Sequence, residues 1–266
     1  MASPRLVATD LDGTALRSDG TVSPRTAAAF ARVEQAGATL VFVTGRPPRW
    51  MGNVAGTVRN RGLAICANGA LLYDLHTESI VESHLIEPGV LSEAVGRLKD
   101  RVPGLSFSVE YEGGFAHESD FRLGGWDSRE LSGLRVGVSG LTSRPCAKLL
   151  AFHRTMEPDI LHALVDEVVG DLLTATHSSG RALIEMSAQG VTKASALATL
   201  AEHHLVGAAE VVAFGDMPND LPMLGWAGTS YAVANAHPDV LAAVTHVTAA
   251  NDDDGVAIVL EKLYGG

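Results

Sequence analysis

Short apolar runs without internal alternation punctuate both ends of this chain, and each gives way at once to polar residues. Leu6-Val7-Ala8-Thr9 leads into Asp10-Leu11-Asp12-Gly13-Thr14, residues 38–43 lead into Thr44-Gly45-Arg46-Pro47, and residues 211–214 lead into a polar turn over 215–222. Continuous apolar runs of this length predict strands buried on both faces, as in a parallel sheet covered by helices. The helices between them are marked by their ends. Ser23-Pro24 supplies an N-cap with proline at the first helical position, the helix is expected to run to about Gln35, and Gly37 stops it. Strand, helix and strand in that order predict two parallel strands joined by a right-handed crossover. The C-terminal part repeats this grammar, with a helix over 192–203, strands over 211–214 and 230–233, and helices over 238–243 and 255–264.

Between about His84 and Arg181 the texture changes. Gly113-Gly114 and Gly124-Gly125 pairs, Pro103, Pro145 and Pro158 interrupt the pattern, and strands are expected near 107–111 and 149–153. The flanking pieces complete each other's parallel sheet and the middle does not extend it. The expectation is therefore an α/β chain with a Rossmann-like parallel-sheet core, residues 1–83 and 184–266, and an inserted α+β cap domain, residues 84–183. Hinges are expected near 84–88 and 181–187.

Composition narrows the function classes. At 266 residues and 46% apolar the chain can build a sizeable core. Its net charge of −11 repels polyanions, which argues against nucleic-acid binding. Cys66 and Cys146 stand far apart without metal-like spacing and read as reduced thiols. No charged segment followed by an apolar run precedes Asp10, and no run approaches about 18 apolar residues. A soluble, cytoplasmic protein, monomer or homodimer and without membrane partners, is expected.

The chemistry gathers where the strands end. Asp10, Asp12, Thr44 and the set Asp216, Asn219 and Asp220 each follow an expected parallel strand, and open α/β sheets bind ligands beyond the carboxyl ends of their strands. Lys193 opens a helix instead, where its long stem reaches the same crevice and an anion would also meet free N–H groups. Four carboxylates converging there repel by about 4 kcal/mol per pair at about 4 Å and an effective dielectric near 20. One lysine does not offset that. A hard divalent cation does, and Mg2+ suits a few carboxylate and carbonyl oxygens with positions left for water and phosphate. With metal and lysine in place, a phosphate dianion can approach Asp10 and take a hydrogen bond from the Thr44 hydroxyl, the arrangement of in-line phosphoryl transfer to a carboxylate.

These segments, Asp10 to Thr14, Thr44 to Pro47, Lys193, and Gly215-Asp216-Met217-Pro218-Asn219-Asp220, resemble the four motifs of the haloacid dehalogenase-like phosphatases. Asn68-Gly69-Ala70, Val191-Thr192-Lys193, Ala234-Asn235-Ala236 and the stretch 251–256 are similar to the Cof-type subfamily. The resemblance covers both core segments and implies a role for each residue. Asp10 would be the nucleophile and a Mg2+ ligand. Asp12 would act as acid and then base, with its backbone carbonyl on the metal. Thr44, Gly45, Lys193 and Asn219 would hold the phosphate, Asp216 would ligate the metal, and Asp220 would orient the waters around it. A carboxylate at Asp12 favours phosphatase over dehalogenase chemistry, and the partner implied is a small phosphorylated metabolite such as a sugar phosphate. A phosphomutase of the same fold and a non-catalytic sugar-phosphate-binding protein stand as alternatives.

Plainer readings compete residue by residue. Asp12-Gly13 is also a turn signal, Thr44 also ends a strand, and Asp216 to Asp220 also read as a loop capping the next helix. Asn68-Gly69 reads first as a type I′ hairpin turn between Ile65 and Leu72, and second as a substrate contact. Arg46 reads equally as a contact for a substrate anion and as a salt-bridge partner. His203-His204 diverge by about 100° on a helix and do not share a metal. His117-Glu118 and His153-Arg154 are candidates to face substrate from the insertion.

Overall fold

The computed structural model describes residues 3–57, 62–121, 133–177 and 182–265; Gly124-Gly125 and Arg181 fall outside them. Strands are numbered in chain order, beginning with β1 (Leu6–Thr9), β2 (Thr39–Val43), β3 (Leu63–Cys66), β4 (Leu71–Asp74) and β5 (Ser79–Ser83). They continue with β6 (Ser106–Tyr111), β7 (Gly114–His117), β8 (Leu134–Arg135), β9 (Lys148–Phe152), β10 (Leu173–Thr176) and β11 (Leu183–Ala188), and end with β12 (Val211–Gly215), β13 (Thr229–Ala232) and β14 (His246–Val247). Two compact units divide the chain, one of Met1–Glu82 with Thr192–Gly266 and the other of Ser83–Val191.

The sheet of the first unit runs β14-β13-β12-β1-β2-β3-β4-β5, parallel from β14 to β3 and turning antiparallel at the β3–β4 hairpin. Leu6, Val7 and Ala8 are each fully buried, so β1 is covered on both faces, as its unalternating sequence requires. Helices Pro24–Gln35 and Gly255–Tyr264 pack together, as do Lys193–His203 and Leu221–Trp226. Ser23 starts the first of these by accepting Thr26 N–H at 3.0 Å ahead of Pro24, and its Phe30 meets Phe42 of β2 edge to face at 5.5 Å. Strand order reverses between β1 and β12, one leading to β2 and the other to β13. A reversal of this kind leaves a crevice beyond the strand ends, and Asp10 and Asp216 follow the two strands that flank it. The polar turn expected over 215–222 ends sooner, because a helix begins at Leu221 with Pro222 inside its first turn.

The second unit is built differently. Among the described residues its sheet runs β10-β11-β9-β6-β7-β8, antiparallel from β10 to β7, with the short β8 added parallel. Side chains alternate. Phe107, Val109, Leu149, Ala151, Ile184 and Met186 pack under helices Pro88–Arg101 and Pro158–Val169, while Ser108, Glu110, Lys148 and Glu185 point to the other face. The expected boundary at 183/184 and the expected hinge at 181–187 coincide with β11. That strand pairs with both β9 and β10 inside the second sheet, so the unit extends to Val191. Cys66 and Cys146 are both free and buried, and burial pushes the Cys146 thiol up to about 12.

Three of the insertion's candidate polar residues, His117, Glu118 and His153, have local partners. Glu118 accepts Phe107 N–H at 2.9 Å and pairs with Lys99 at 2.6 Å, and His117 Nδ1 meets the Glu118 carbonyl. His153 Nδ1 accepts from Thr155 N and Met156 N.

Candidate active site

Lys193 is the centre of the site. Thr192 caps its helix by accepting Ser195 N–H at 3.0 Å while its own N–H reaches Ser195 Oγ at 2.9 Å, which fixes the first turn. The lysine that follows is 1% exposed, far from a solvated helix surface. Its Nζ donates to Asp10 Oδ1 at 2.5 Å and to Asp220 Oδ1 at 2.7 Å. Burial alone would lower the pKa of this ammonium, but the charges of Asp10 and Asp220 reverse the effect and hold it above the ordinary lysine value. It stays charged.

Asp10, Asp216 and Asp220 each offer an oxygen within 4.8 Å of the others, and all three are buried. The carboxylates are crowded. Burial, joined by the charges of Asp220, Asp216 and Asp12, holds Asp10 well above the usual carboxylate range against the pull of Lys193. Burial also pushes Asp216 up to about 7, with Asp220 adding to the shift and a hydrogen bond from Thr14 opposing it. Both oxygens of Asp220 are engaged. Its Oδ2 accepts the backbone N–H groups of Asp216 at 3.0 Å and Met217 at 3.1 Å while Oδ1 holds Lys193, so it serves as a brace and not as a helix N-cap.

The donor set fits a hard cation. Asp10 and Asp216 present carboxylate oxygens whose protonation is favoured first by burial and then by the neighbouring carboxylates, and oxygen ligands of this kind suit an ion such as Mg2+. Local backbone keeps the approach open. Gly13 stands at φ +77°, and a Cβ there would lie 2.3 Å from Asp216 Oδ2. Only glycine allows the loop after β1 to cross so close to that carboxylate.

The remaining candidates fall around this cluster. Asp12 is turned outward and its carboxylate is held by Arg46, from Nη2 at 2.6 Å and from Nε at 2.7 Å. Of the two readings of Arg46, the structure displays the salt bridge. Thr44 is buried, and its Oγ1 accepts Arg46 N–H at 3.1 Å in the turn that also carries Gly45. Asn219 donates to Asn68 Oδ1 at 3.2 Å. Asn68 and Gly69 form the β3–β4 turn, both at positive φ, closed by Ala70 N–H to Ala67 O. The turn is also pinned, because Asn68 N–H reaches Thr44 O at 3.1 Å and a Cβ on Gly69 would lie 2.3 Å from Thr192 O.

Matching these positions, the profile of a family described as haloacid dehalogenase-like hydrolase covers residues 7–260. The chain belongs to that family. A protein from Haemophilus influenzae provisionally named a phosphatase is 26% identical over 264 residues, 98% of each chain. A solved structure from Thermotoga maritima is 26% identical with a TM-score of 0.78, over 98% of this chain and 97% of that one. A sugar phosphatase of haloacid dehalogenase subclass IIB shares the fold, with a TM-score of 0.82 and 19% identity, over 98% of this chain and 99% of that one. The protein is therefore an enzyme, a hydrolase of this family, with an acidic cluster able to hold a metal ion.

Three residues were given no role by the sequence reading. Thr14 donates to Asp216 Oδ1 at 2.7 Å. Asn235 Nδ2 donates to Gly13 O at 2.8 Å, Asn251 N–H donates to Asn235 Oδ1 at 2.9 Å, and Asn251 Nδ2 donates to Leu16 O at 2.9 Å. Together they tie down the stretch from Gly13 to Leu16 that follows Asp12. The signals were present, Thr14 inside the first motif and the asparagines inside two segments that resemble the subfamily, but their partners lie more than 200 positions away.

Proposed function

We propose that this hydrolase is a magnesium-dependent phosphatase that cleaves small phosphate monoesters, sugar phosphates or other phosphorylated metabolites, through an aspartyl phosphate on Asp10. The observation that carries the reading is the buried Lys193, gripped by Asp10 and Asp220 with Asp216 alongside. An ammonium buried among carboxylates at strand ends is poised for an anion that brings its own cation. Asp10, Asp216 and the Asp12 backbone carbonyl would hold Mg2+, which when bound neutralises charge on the carboxylates and on the transferring phosphoryl group.

The chain's own residues do the rest. Lys193 and the Thr44 hydroxyl bind phosphate oxygens, with Gly45 and Asn219 beside them. Asp10 attacks phosphorus as the ester P–O bond breaks, and Asp12 gives its proton to the departing oxygen. Asp12 then takes a proton from water as that water attacks the aspartyl phosphate, releasing inorganic phosphate and restoring Asp10. Asp220 keeps Lys193 in place, and the separately folded second unit is assigned the choice of substrate. The sugar phosphatase among the solved relatives favours sugar phosphates as the first class to try. The test is a panel of phosphorylated metabolites and an aryl phosphate, incubated with purified protein and Mg2+. Release of inorganic phosphate supports the reading. Failure on every member, or transfer to a second sugar hydroxyl in place of water, overturns it.

A further inference from the structure

Asp12 is the carboxylate of the opening pair that Lys193 does not hold. Its partner is Arg46, with both oxygens met by Nε and Nη2 of one guanidinium. That planar fork fixes the orientation of a carboxylate as well as its distance. The arginine side chain is 20% exposed against 59% for Asp12. It is also tied through its backbone N–H to Thr44 Oγ1. The anchored side chain thus holds the one that would otherwise swing. A pair this exposed adds little to stability, so its effect lies in where it points the carboxylate.

We propose that Arg46 is the positioning residue for Asp12, setting the rotamer and plane of the acid/base carboxylate and coupling it, through the turn that carries Thr44, to the phosphate end of the site. The proposal rests on the phosphatase reading with Asp12 as acid and base. In the first half-reaction the Asp12 carboxyl gives its proton to the ester oxygen while the bond from that oxygen to phosphorus breaks and the Asp10–phosphorus bond forms. In the second the Asp12 carboxylate takes a proton from water while the water oxygen bonds phosphorus and the Asp10–phosphorus bond breaks. Only the first step distinguishes leaving groups. An alkoxide needs the proton, whereas a nitrophenolate departs without it.

The experiment compares kcat/KM, which reports the enzyme through that first step, for an alkyl phosphate and for nitrophenyl phosphate. The full-length protein is assayed with Mg2+ as wild type, Asp12→Asn, Arg46→Gln, Arg46→Lys and the Asp12→Asn/Arg46→Gln double variant. The alkyl-to-aryl ratio should fall by about 100-fold or more in Asp12→Asn. It should fall by at least about tenfold in Arg46→Gln, recover in part in Arg46→Lys, and drop no further in the double variant than in Asp12→Asn alone, as coupled residues behave. Arg46→Lys, which keeps the charge without the fork, carries the test if the glutamine variant does not fold. Equal losses on both substrates would make Arg46 a substrate contact and overturn the proposal, as would losses that add in the double variant. A wild type inactive on both substrates overturns the phosphatase reading and this proposal with it. An active wild type with an unchanged ratio in Arg46→Gln overturns the proposal alone.

Discussion

Each unit of the chain buries a lysine, and the two do so on different terms. Lys148 lies in β9 of the second sheet and meets Glu185 of the neighbouring β11 at 2.5 Å, both side chains 7% exposed. Lys193 stands at a helix start and meets Asp10 and Asp220, 183 and 27 positions away in sequence. Antiparallel pairing supplies Lys148 with its carboxylate from the adjoining strand. Lys193 instead draws its partners from the ends of separate strands, and the three clustered carboxylates outnumber it. An ion pair inside a sheet is a local fit. A cluster with more acid than base is able to take up a cation.

That contrast can be broken by experiment. The largest effect is expected at the first unit's cluster, where Asp10→Asn removes the proposed nucleophile while keeping the shape. Turnover of an aryl phosphate should fall by at least about 10³-fold; a variant that still turns over would place the covalent step elsewhere. In the second unit, Lys148→Met leaves Glu185 buried without this partner and should cost about 3–5 kcal/mol in denaturant unfolding. Replacing both, as Lys148→Met with Glu185→Leu, should recover much of that loss. A double variant no better than the single would mean that the pair matters beyond its own two charges.

A smaller effect is expected for the metal. Asp216→Ala should raise the Mg2+ concentration needed for half-maximal activity by at least about tenfold, and an unchanged titration would remove Asp216 from the ligand set. The smallest is a matter of pH. Asp216 is raised from an ordinary 3.8 to about 7, so between these values the unfolded chain has lost a proton that the folded chain keeps. In the metal-free protein this group's contribution to stability is therefore present in full below about 4 and lost as pH rises through about 7. Mg2+ competes with that proton, and its stabilising effect in thermal melts should be larger at pH 8 than at pH 6. An equal shift at both values would show that Asp216 is already ionised in the folded chain.

Much of the first unit was legible because its signals are local. Ser23-Pro24 and Thr192 announce helix starts within three or four residues, and unalternating runs such as Leu6–Thr9 announce strands covered on both faces. The end of the second unit was not. β11 mixes Leu183, Ile184 and Met186 with Glu185 and Ser187 and runs up to a helix start, and only its pairing with β9 and β10 assigns it to the second sheet. Asn68 shows the same limit from another side. Its turn conformation follows from Asn-Gly, but its contact with Asn219 depends on a hairpin tip packed against the start of the Lys193 helix.

The sequence by itself determined which residue types stand after which strands, and with them the family and the kind of chemistry, because periodicity, caps and motif spacing act within a few residues of themselves. Tertiary structure alone decided that Lys193 is buried between Asp10 and Asp220, that Thr14 holds Asp216, and that Arg46 turns on Asp12. Those facts belong to side chains brought together from strand ends and a helix start. Their partners are chosen by packing and by the cost of leaving a buried charge unmatched, and no local rule along the chain carries that information.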